Sequence, residues 1–481
     1  MFHPNQQTKI NPEINNLTVT DAIELFTTTQ VALADIEANG IKIDVAKLAE
    51  NIKQAQNIAD EAAQKCFADP VGQKWRELYP LPNLQNRNEL AEVLFSPRGF
   101  NYPCPTRTAT GKPQCDKKAL ERMPQIKDFT YHYLYYQTLL KTITSFMQGI
   151  YKVLDPNNII HPSFNLLGII SYRSGCTAPN IQQIPSRDPR IAKLIRSVFI
   201  PHTPTSHFVE VDYSGVEVRT NASINRDPNL VKSVTEGLDF HRWVAAETYL
   251  MPQEEVTKPL RSSVKGEFTF AAFYGSYWKT IAERIWDYIA YDENLFTKHR
   301  IPLKEWILSR GIIGLGDPST CAPNTYYAHI RTVVHRFWTE LFPVYAQWKN
   351  TIQQQYLKDG FIDIPTGFRS AGLFKKNVPT NIPGQGSAAT ILLRAMTGMH
   401  FEMKERQMKS KIIGEIHDSI IASVETDEIG SYCQLAHKWM VKNAQEKNLW
   451  LKVPLDIEVE ISPPGKSWAE KAPFDISPFI L

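Results

Sequence analysis

The apolar positions of this chain change period several times, and each change marks an element. From Asp21 to about Asn57 they recur at the spacing of a helix that buries one face, with a break at Asn39-Gly40. Residues 96–114, rich in Pro, Thr and Gly, carry no period and read as a loop. Helical spacing returns over 116–153, which holds the run Tyr131-His132-Tyr133-Leu134-Tyr135-Tyr136. Rings this dense are read as packing rather than as a platform for bases. Strands are predicted at 194–200 and 207–213, and helices at about 228–250, 256–273 and 328–357. Residues 314–324 read as a surface loop, 361–369 as a strand and turn, and 386–404 as a helix. Residues 412–424 alternate about a polar centre, which predicts a β-hairpin with His417-Asp418 at its tip. A strand over 453–461 closes the pattern, and residues 1–20 read as a polar arm. Helices come first, then antiparallel strands interrupted by a helical block. The fold class expected is α+β with several lobes.

Composition narrows this only slightly. A chain of 481 residues with 43% hydrophobic and 21% charged positions can bury a real core. The net charge is +3, from 53 basic and 50 acidic residues. That leans towards a polyanionic partner without requiring one, because a basic cleft can hide in a balanced total. Cys66, Cys104, Cys115, Cys176, Cys321 and Cys433 form no CxxC pair. Their scatter argues against a zinc module or disulfide scaffold and for a reducing compartment. No apolar run approaches the ~20 residues that span a bilayer. The start, Met1-Phe2-His3-Pro4-Asn5, has neither a signal-peptide core nor a transit pattern. A soluble, cytoplasmic protein with no membrane partner is expected.

Two carboxylates stand out. Asp212 closes the run Phe208-Val209-Glu210-Val211-Asp212, and Asp418 sits at the predicted hairpin tip. Strand ends can bring distant acids together. Two carboxylates in a partly dry site repel each other, so they stabilise poorly, but they make good ligands for a pair of divalent cations. Read singly, each is better explained as a solvated turn residue, and only the surroundings reverse that. Glu217 follows Asp212 by five residues, at the start of a predicted helix. Arg261 and Lys265, at i and i+4, share a helix face and precede Phe268, Phe270, Phe273 and Tyr274. The pair is either ordinary surface charge or a grip on a triphosphate. The amides of Pro179-Asn180-Ile181-Gln182-Gln183-Ile184-Pro185, preceded by Arg173, and of Asn381-Ile382-Pro383-Gly384-Gln385-Gly386 suit either turn capping or reading of minor-groove acceptors.

In this order and spacing, these segments resemble the polymerase domain of family A, the polymerase I-like DNA polymerases, from about Asp21 to Lys471. The likeness includes Ile36-Glu37-Ala38-Asn39-Gly40 and Val453-Pro454-Leu455. It implies a right-hand polymerase fold with an antiparallel-sheet palm, helical fingers and a helical thumb. The division expected is 1–20 for an N-terminal arm and 21–165 for the thumb and thumb-side region. The palm takes 166–227, with the first metal aspartate, and 346–481, with the hairpin and the second. The fingers take 228–345, with an insertion around 285–330. The resemblance makes Asp212 and Asp418 ligands of two Mg2+ ions, with Mn2+ as a substitute. One metal would lower the pKa of a primer 3′-hydroxyl, and the other would neutralise the triphosphate and departing pyrophosphate. Arg261 and Lys265 would grip the phosphates, with Lys265 as a proton donor to the leaving group, and His241 would approach them. Glu217 would fill the space a 2′-hydroxyl needs. Phe270 would pack on the sugar, Tyr274 would stand near the templating base, and Tyr213 would line the nucleotide pocket. Arg173, Asn381 and Gln385 would check the minor groove at the primer terminus, where Gln182 and His417 are also expected. Primer-template DNA and dNTPs are the partners implied, with a separate exonuclease, a helicase or other replication proteins beside them.

The chain departs from the family pattern at several points. The family aromatic usually follows the lysine by four residues, but Phe270 follows Lys265 by five. One extra residue turns a straight α-helix by ~100°. A π-bulge near Gly266 would absorb it. Ser419 stands where the family usually has a third acid, and Gly215 replaces a common glutamine. Ser171-Tyr172-Arg173-Ser174-Gly175-Cys176 keeps the family arginine and little else. With only about 20 residues ahead of the thumb region, a 3′–5′ exonuclease domain is not expected, and proofreading would fall to another chain. A single-subunit RNA polymerase shares the palm aspartates and stays open as a rival, though Glu217 speaks against it. An inactive nucleic-acid-binding protein also stays open.

Overall fold

The computed structural model describes residues 17–185, 188–291 and 295–480. Its centre is a five-stranded antiparallel sheet in the order Ala472–Pro473, Ile457–Ile461, Ser206–Tyr213, Ser419–Glu425, Lys411–Ile416. Side chains alternate across the central strand. Val209, Val211 and Tyr213 face a core formed with the helix Val378–Glu405. Phe208 faces the other way, into a core with Ile413, Ile421 and Trp468. Glu210 and Asp212 share the Phe208 side by that alternation. The Trp468 indole and the Lys471 ammonium both donate to Glu210, which covers that side as far as Glu210.

A second body of core packing runs from Ala222 to Tyr345, with Val453 added. It is helical, built from Phe240–Tyr249, Lys258–Val264, Trp278–Tyr291, Leu303–Ser309, Tyr326–Arg336 and the start of Pro343–Asp359. Asp227 and Asp239 cap two of its helices, and Gly237 turns between them at φ 71°. The expected helix 228–250 is therefore two helices. The helix Val216–Asn225 joins this body to the sheet. It packs closely on Val378–Glu405 because Gly384 has no side chain; a Cβ there would stand 2.5 Å from Asn221 Oδ1.

The stretch 21–165 contributes to several cores. The helix Val19–Asn39 is capped by Thr18 and packs against Val378–Glu405 and the strand Lys411–Ile416. Ile41–Ile43 pairs with Ile159–Ile160 and Phe199–Ile200 in a small sheet. Val45–Ala68 packs along Lys127–Lys141. Tyr133 of the aromatic run is buried in that packing, whereas Tyr131 is exposed and Arg190 lies over the Tyr135 ring at 4.5 Å. Residues 1–16 of the expected arm lie outside the described residues. Among the described residues no helix is long and apolar enough to cross a membrane.

Two further expected elements are corrected. The strand at 194–200 is instead the helix Pro189–Arg196, followed by the short strand Phe199–Ile200. Asp188 caps that helix and Pro189 opens it, and Ile191, Leu194 and Ile195 bury one helical face. The helix expected at 386–404 begins at Val378 and runs through Pro383. Asn381 and Gln385 therefore stand one turn apart on a single helix rather than in a turn.

Candidate active site

The sheet register places the two aspartates. Asp212 pairs with Ser419 on the neighbouring strand, and Tyr213 N donates to Asp418 O at 3.2 Å. Asp418 is the second residue of a two-residue hairpin turn between Ile416 and Ser419; His417, the first, has φ 61° and is exposed. On its other side Asp212 pairs with Glu458. Burial pushes the Asp212 carboxyl up to about 7, and the charges of Asp418, Glu210 and Glu458 add to the effect; Lys471 opposes them. Burial also raises Asp418, against the pull of Arg173 and His417. Ser419 supplies no third carboxylate, and its buried hydroxyl donates to Ile416 O at 3.0 Å. Among the described residues no group of three or more His, Cys, Asp or Glu side chains could hold a metal ion. Two carboxylates do fit Mg2+, which commonly takes one or two protein acids and completes its shell with substrate phosphates and water.

Arg173 links these acids to the helical body. It donates to Glu217, and its charge reaches Asp418 and Glu415. Glu217, in the first turn of Val216–Asn225, also accepts from the Tyr274 hydroxyl. Burial raises the Glu217 pKa, and Arg173 restrains the rise. Glu217, Phe270, Phe273, Tyr274 and Asn381 line one crevice. Asn381 Nδ2 donates to Tyr274 O at 3.4 Å. Gln385 is half-buried one turn further on.

The helix carrying Arg261 changes its hydrogen bonding just where the extra residue falls. Lys258–Val264 is α-helical, Lys265–Phe270 is a π-helix, and Ala271–Phe273 is α-helical again. The wider turn absorbs one residue and keeps Phe270 on the lysine side. Lys265 Nζ lies 5.7 Å from the centre of the Phe270 ring. Phe268 and Thr269, the other candidates for that position, point into the core. Arg261 Nε donates to both oxygens of Asp239, at 3.0 and 2.8 Å. His241 is buried 5.9 Å from Phe270, ring to ring, and shares a hydrogen bond with the Thr269 hydroxyl. Burial, with the charges of Arg261 and Lys265, lowers its pKa to about 4, so it is neutral near pH 7.

Tyr213 requires a correction. Strand alternation points it away from Asp212, and its hydroxyl donates to Met440 O at 2.8 Å inside the core. It does not line the crevice. Gln182 lies beside the site, and its amide nitrogen donates to Ser174 Oγ at 2.9 Å and Glu415 Oε1 at 3.0 Å.

Sequence reasoning missed Glu415 and Asp239. Glu415 is fully buried and pushed up to about 8, chiefly by burial; the Gln182 bond and Arg173 oppose the rise. A lone acid within Ile412-Ile413-Gly414-Glu415-Ile416 was the available signal. For Asp239 it was the cap position ahead of Phe240.

The family model for DNA polymerase family A matches residues 48–292 and 351–470. The chain belongs to that family. DNA polymerase I of Geobacillus stearothermophilus is 26% identical over 448 residues, covering 90% of this chain and 44% of the relative. That of Bacillus subtilis is 26% identical over 470 residues, covering 96% and 47%. The thermostable DNA polymerase I of Thermus aquaticus is 24% identical, covering 91% and 46%. The chain thus spans about half the length of the curated relatives it matches. Among solved structures, the POL domain of Pol1 from M. smegmatis, in complex with DNA primer-template and dNTP, superposes with a TM-score of 0.73. The match has 24% identity and covers 92% of this chain and 70% of that one. The fold is the right-hand polymerase fold, with an antiparallel-sheet palm and helical fingers and thumb. Residues 293–350, between the two matched segments, overlap the stretch expected as an insertion.

Proposed function

We propose that this chain is a template-directed DNA polymerase domain that extends a primer with dNTPs. One observation carries the reading. Strand register sets Asp212 opposite Ser419 and so beside the turn that holds Asp418, and Arg173, whose charge reaches Asp418, joins them through Glu217 and Tyr274 to the helix bearing Arg261, Lys265 and Phe270. Acids for cations and cations for phosphates are thus linked through residues that line one crevice, Glu217, Phe270 and Tyr274. In this reading the palm is 166–227 with 346–481, and the fingers are 228–345. The continuous helical core from Ala222 to Tyr345 supports that division.

Asp212 and Asp418 hold two Mg2+ ions, which when bound supply charge neutralisation at the reacting phosphate and a more acidic primer hydroxyl. The protein's own groups do the rest. Arg261, oriented by Asp239, and Lys265 bind the triphosphate. Lys265 donates the proton to the leaving pyrophosphate, and neutral His241 donates a hydrogen bond beside it. Phe270 packs on the sugar, and Glu217 closes the space beside C2′. Tyr274 stacks by the templating base. Arg173, Asn381, Gln385, Gln182 and His417 lie along the primer-template. The chemistry is in-line displacement, helped by positioning and electrostatics.

Primer extension on a defined primer-template, with dNTPs and rNTPs in separate reactions, tests this. Divalent-cation-dependent extension with dNTPs is expected. A preference for rNTPs would turn the reading to an RNA polymerase, and binding without extension would turn it to an inactive nucleic-acid-binding protein.

A further inference from the structure

Lys349 lies on the helix Pro343–Asp359, within the interval that the family model leaves unmatched. Its Nζ donates to Ala272 O and Phe273 O, both at 3.2 Å, and sits 4.5 Å from the centre of the Trp338 ring. These carbonyls end the helical run that carries Lys265 and Phe270. The last carbonyls of a helix lack partners within it, and a cation there meets the negative end of the helix dipole. The next two carbonyls are held by the start of the helix Val378–Glu405 and its cap. Asn381 donates to Tyr274 O at 3.4 Å, and Asn377 Nδ2 donates to Gly275 O at 2.8 Å. Four consecutive carbonyls, 272 to 275, are therefore pinned between two helices. Gly275 turns the chain there at φ 82°. One turn before Lys349, Tyr345 packs on Phe273 at 5.2 Å and lines the same crevice as Glu217 and Tyr274.

An ammonium is strongly hydrated, so enclosing it is unfavourable unless its bonds replace that water. Burial alone lowers the Lys349 pKa, to about 8. The lysine is thus kept in an unfavourable place, and its bonds go to the turn that aims Tyr274.

We propose that Lys349 is a positioning residue for sugar selection: by holding the carbonyls of Ala272 and Phe273 it fixes the turn that brings the Tyr274 hydroxyl onto Glu217. The inference rests on the polymerase reading above. Lys349 touches no substrate and acts through Tyr274.

The test is kcat and KM for a dNTP and the matching rNTP in the parent, K349M, K349R, Y274F and the K349M/Y274F double variant. K349M is expected to lower dNTP-over-rNTP discrimination about tenfold, the scale of a lost charged hydrogen bond. The loss should appear mainly as a lower KM for the rNTP, because a displaced Glu217 leaves room for the 2′-hydroxyl. K349R, which keeps donors and charge, should recover most of it. Because both residues act on one contact, the double variant should discriminate no worse than Y274F. A folded K349M with the parent's discrimination, or losses that add in the double variant, would overturn the proposal. If K349M does not fold, K349A is judged by the same criteria, since it too removes the donor to these carbonyls. A parent that extends no primer refutes the polymerase reading itself. A parent that extends, with unchanged Lys349 variants, refutes only the role of Lys349.

Discussion

Asp212 and Asp418 come within reach of each other's charge because strand register sets Asp212 opposite Ser419, next to the turn that holds Asp418, whereas Arg261, Lys265 and Phe270 stand together because one helix changes its bonding midway. The two halves of the site also differ in charge compensation. The acids are raised by burial and by neighbouring acids, with only partial relief from Lys471, Arg173 and His417. On the cationic side, Arg261 has its own partner in Asp239. The sheet supplies rigid placement at the cost of repulsion, which a bound cation would relieve. The helix supplies satisfied groups on a scaffold that one residue can shift.

The largest effect is expected at the acids. D212N or D418N should reduce primer extension by about 10³-fold or more, measured in single turnover with Mg2+. K265A should lower kcat/KM for dNTPs by about 10²-fold, the scale of one lost electrostatic contact at a reacting centre. Deleting Gly266 should turn the π-segment into regular helix and set Lys265 and the phenylalanine four apart. Helical circular dichroism should persist and extension should stay within about tenfold of the parent, since a π-bulge adds one residue without adding a contact. A larger loss would mean that the wide turn itself shapes the pocket.

The smallest effect is on stability. The Asp212 carboxyl has a folded pKa near 7, above its usual 3.8. A raised carboxylate favours the protonated folded state, so metal-free stability is lost as pH rises through that window. At pH 8 without divalent cation, D212N should therefore melt on the order of 1–3 °C above the parent, and at pH 4 it should not. Added Mg2+ should raise the parent's Tm more at pH 8 than at pH 5, by differential scanning fluorimetry.

Elements whose signal is local matched the chain closely. The hairpin at His417-Asp418 needed only alternation and a polar tip. The π-helix at Lys265–Phe270 followed from one residue too many between a lysine and an aromatic. The misreadings came from competing signals. The apolar residues of 194–200 suit a strand, but Asp188 and Pro189 just upstream start a helix that consumes them. Tyr213 is next to Asp212 in sequence, yet adjacent strand residues face opposite sides, and the Tyr213 side holds the main core. Pro383 hid the first two turns of its helix, because a proline inside a helix removes an i→i−4 bond and reads as a boundary, yet the helix runs through it.

The sequence by itself determined the family, the order of the motifs and the residue types the chemistry needs, because side-chain chemistry and short-range periodicity are written locally. Only the tertiary structure decided which of those residues share a crevice. It joined Glu217 to Arg173 and Tyr274, turned Tyr213 into the core, buried Glu415 beside Gln182, and brought Lys349 to the end of a helix about 75 residues earlier. Those outcomes depend on strand register and helix packing between distant segments, and no local pattern encodes them.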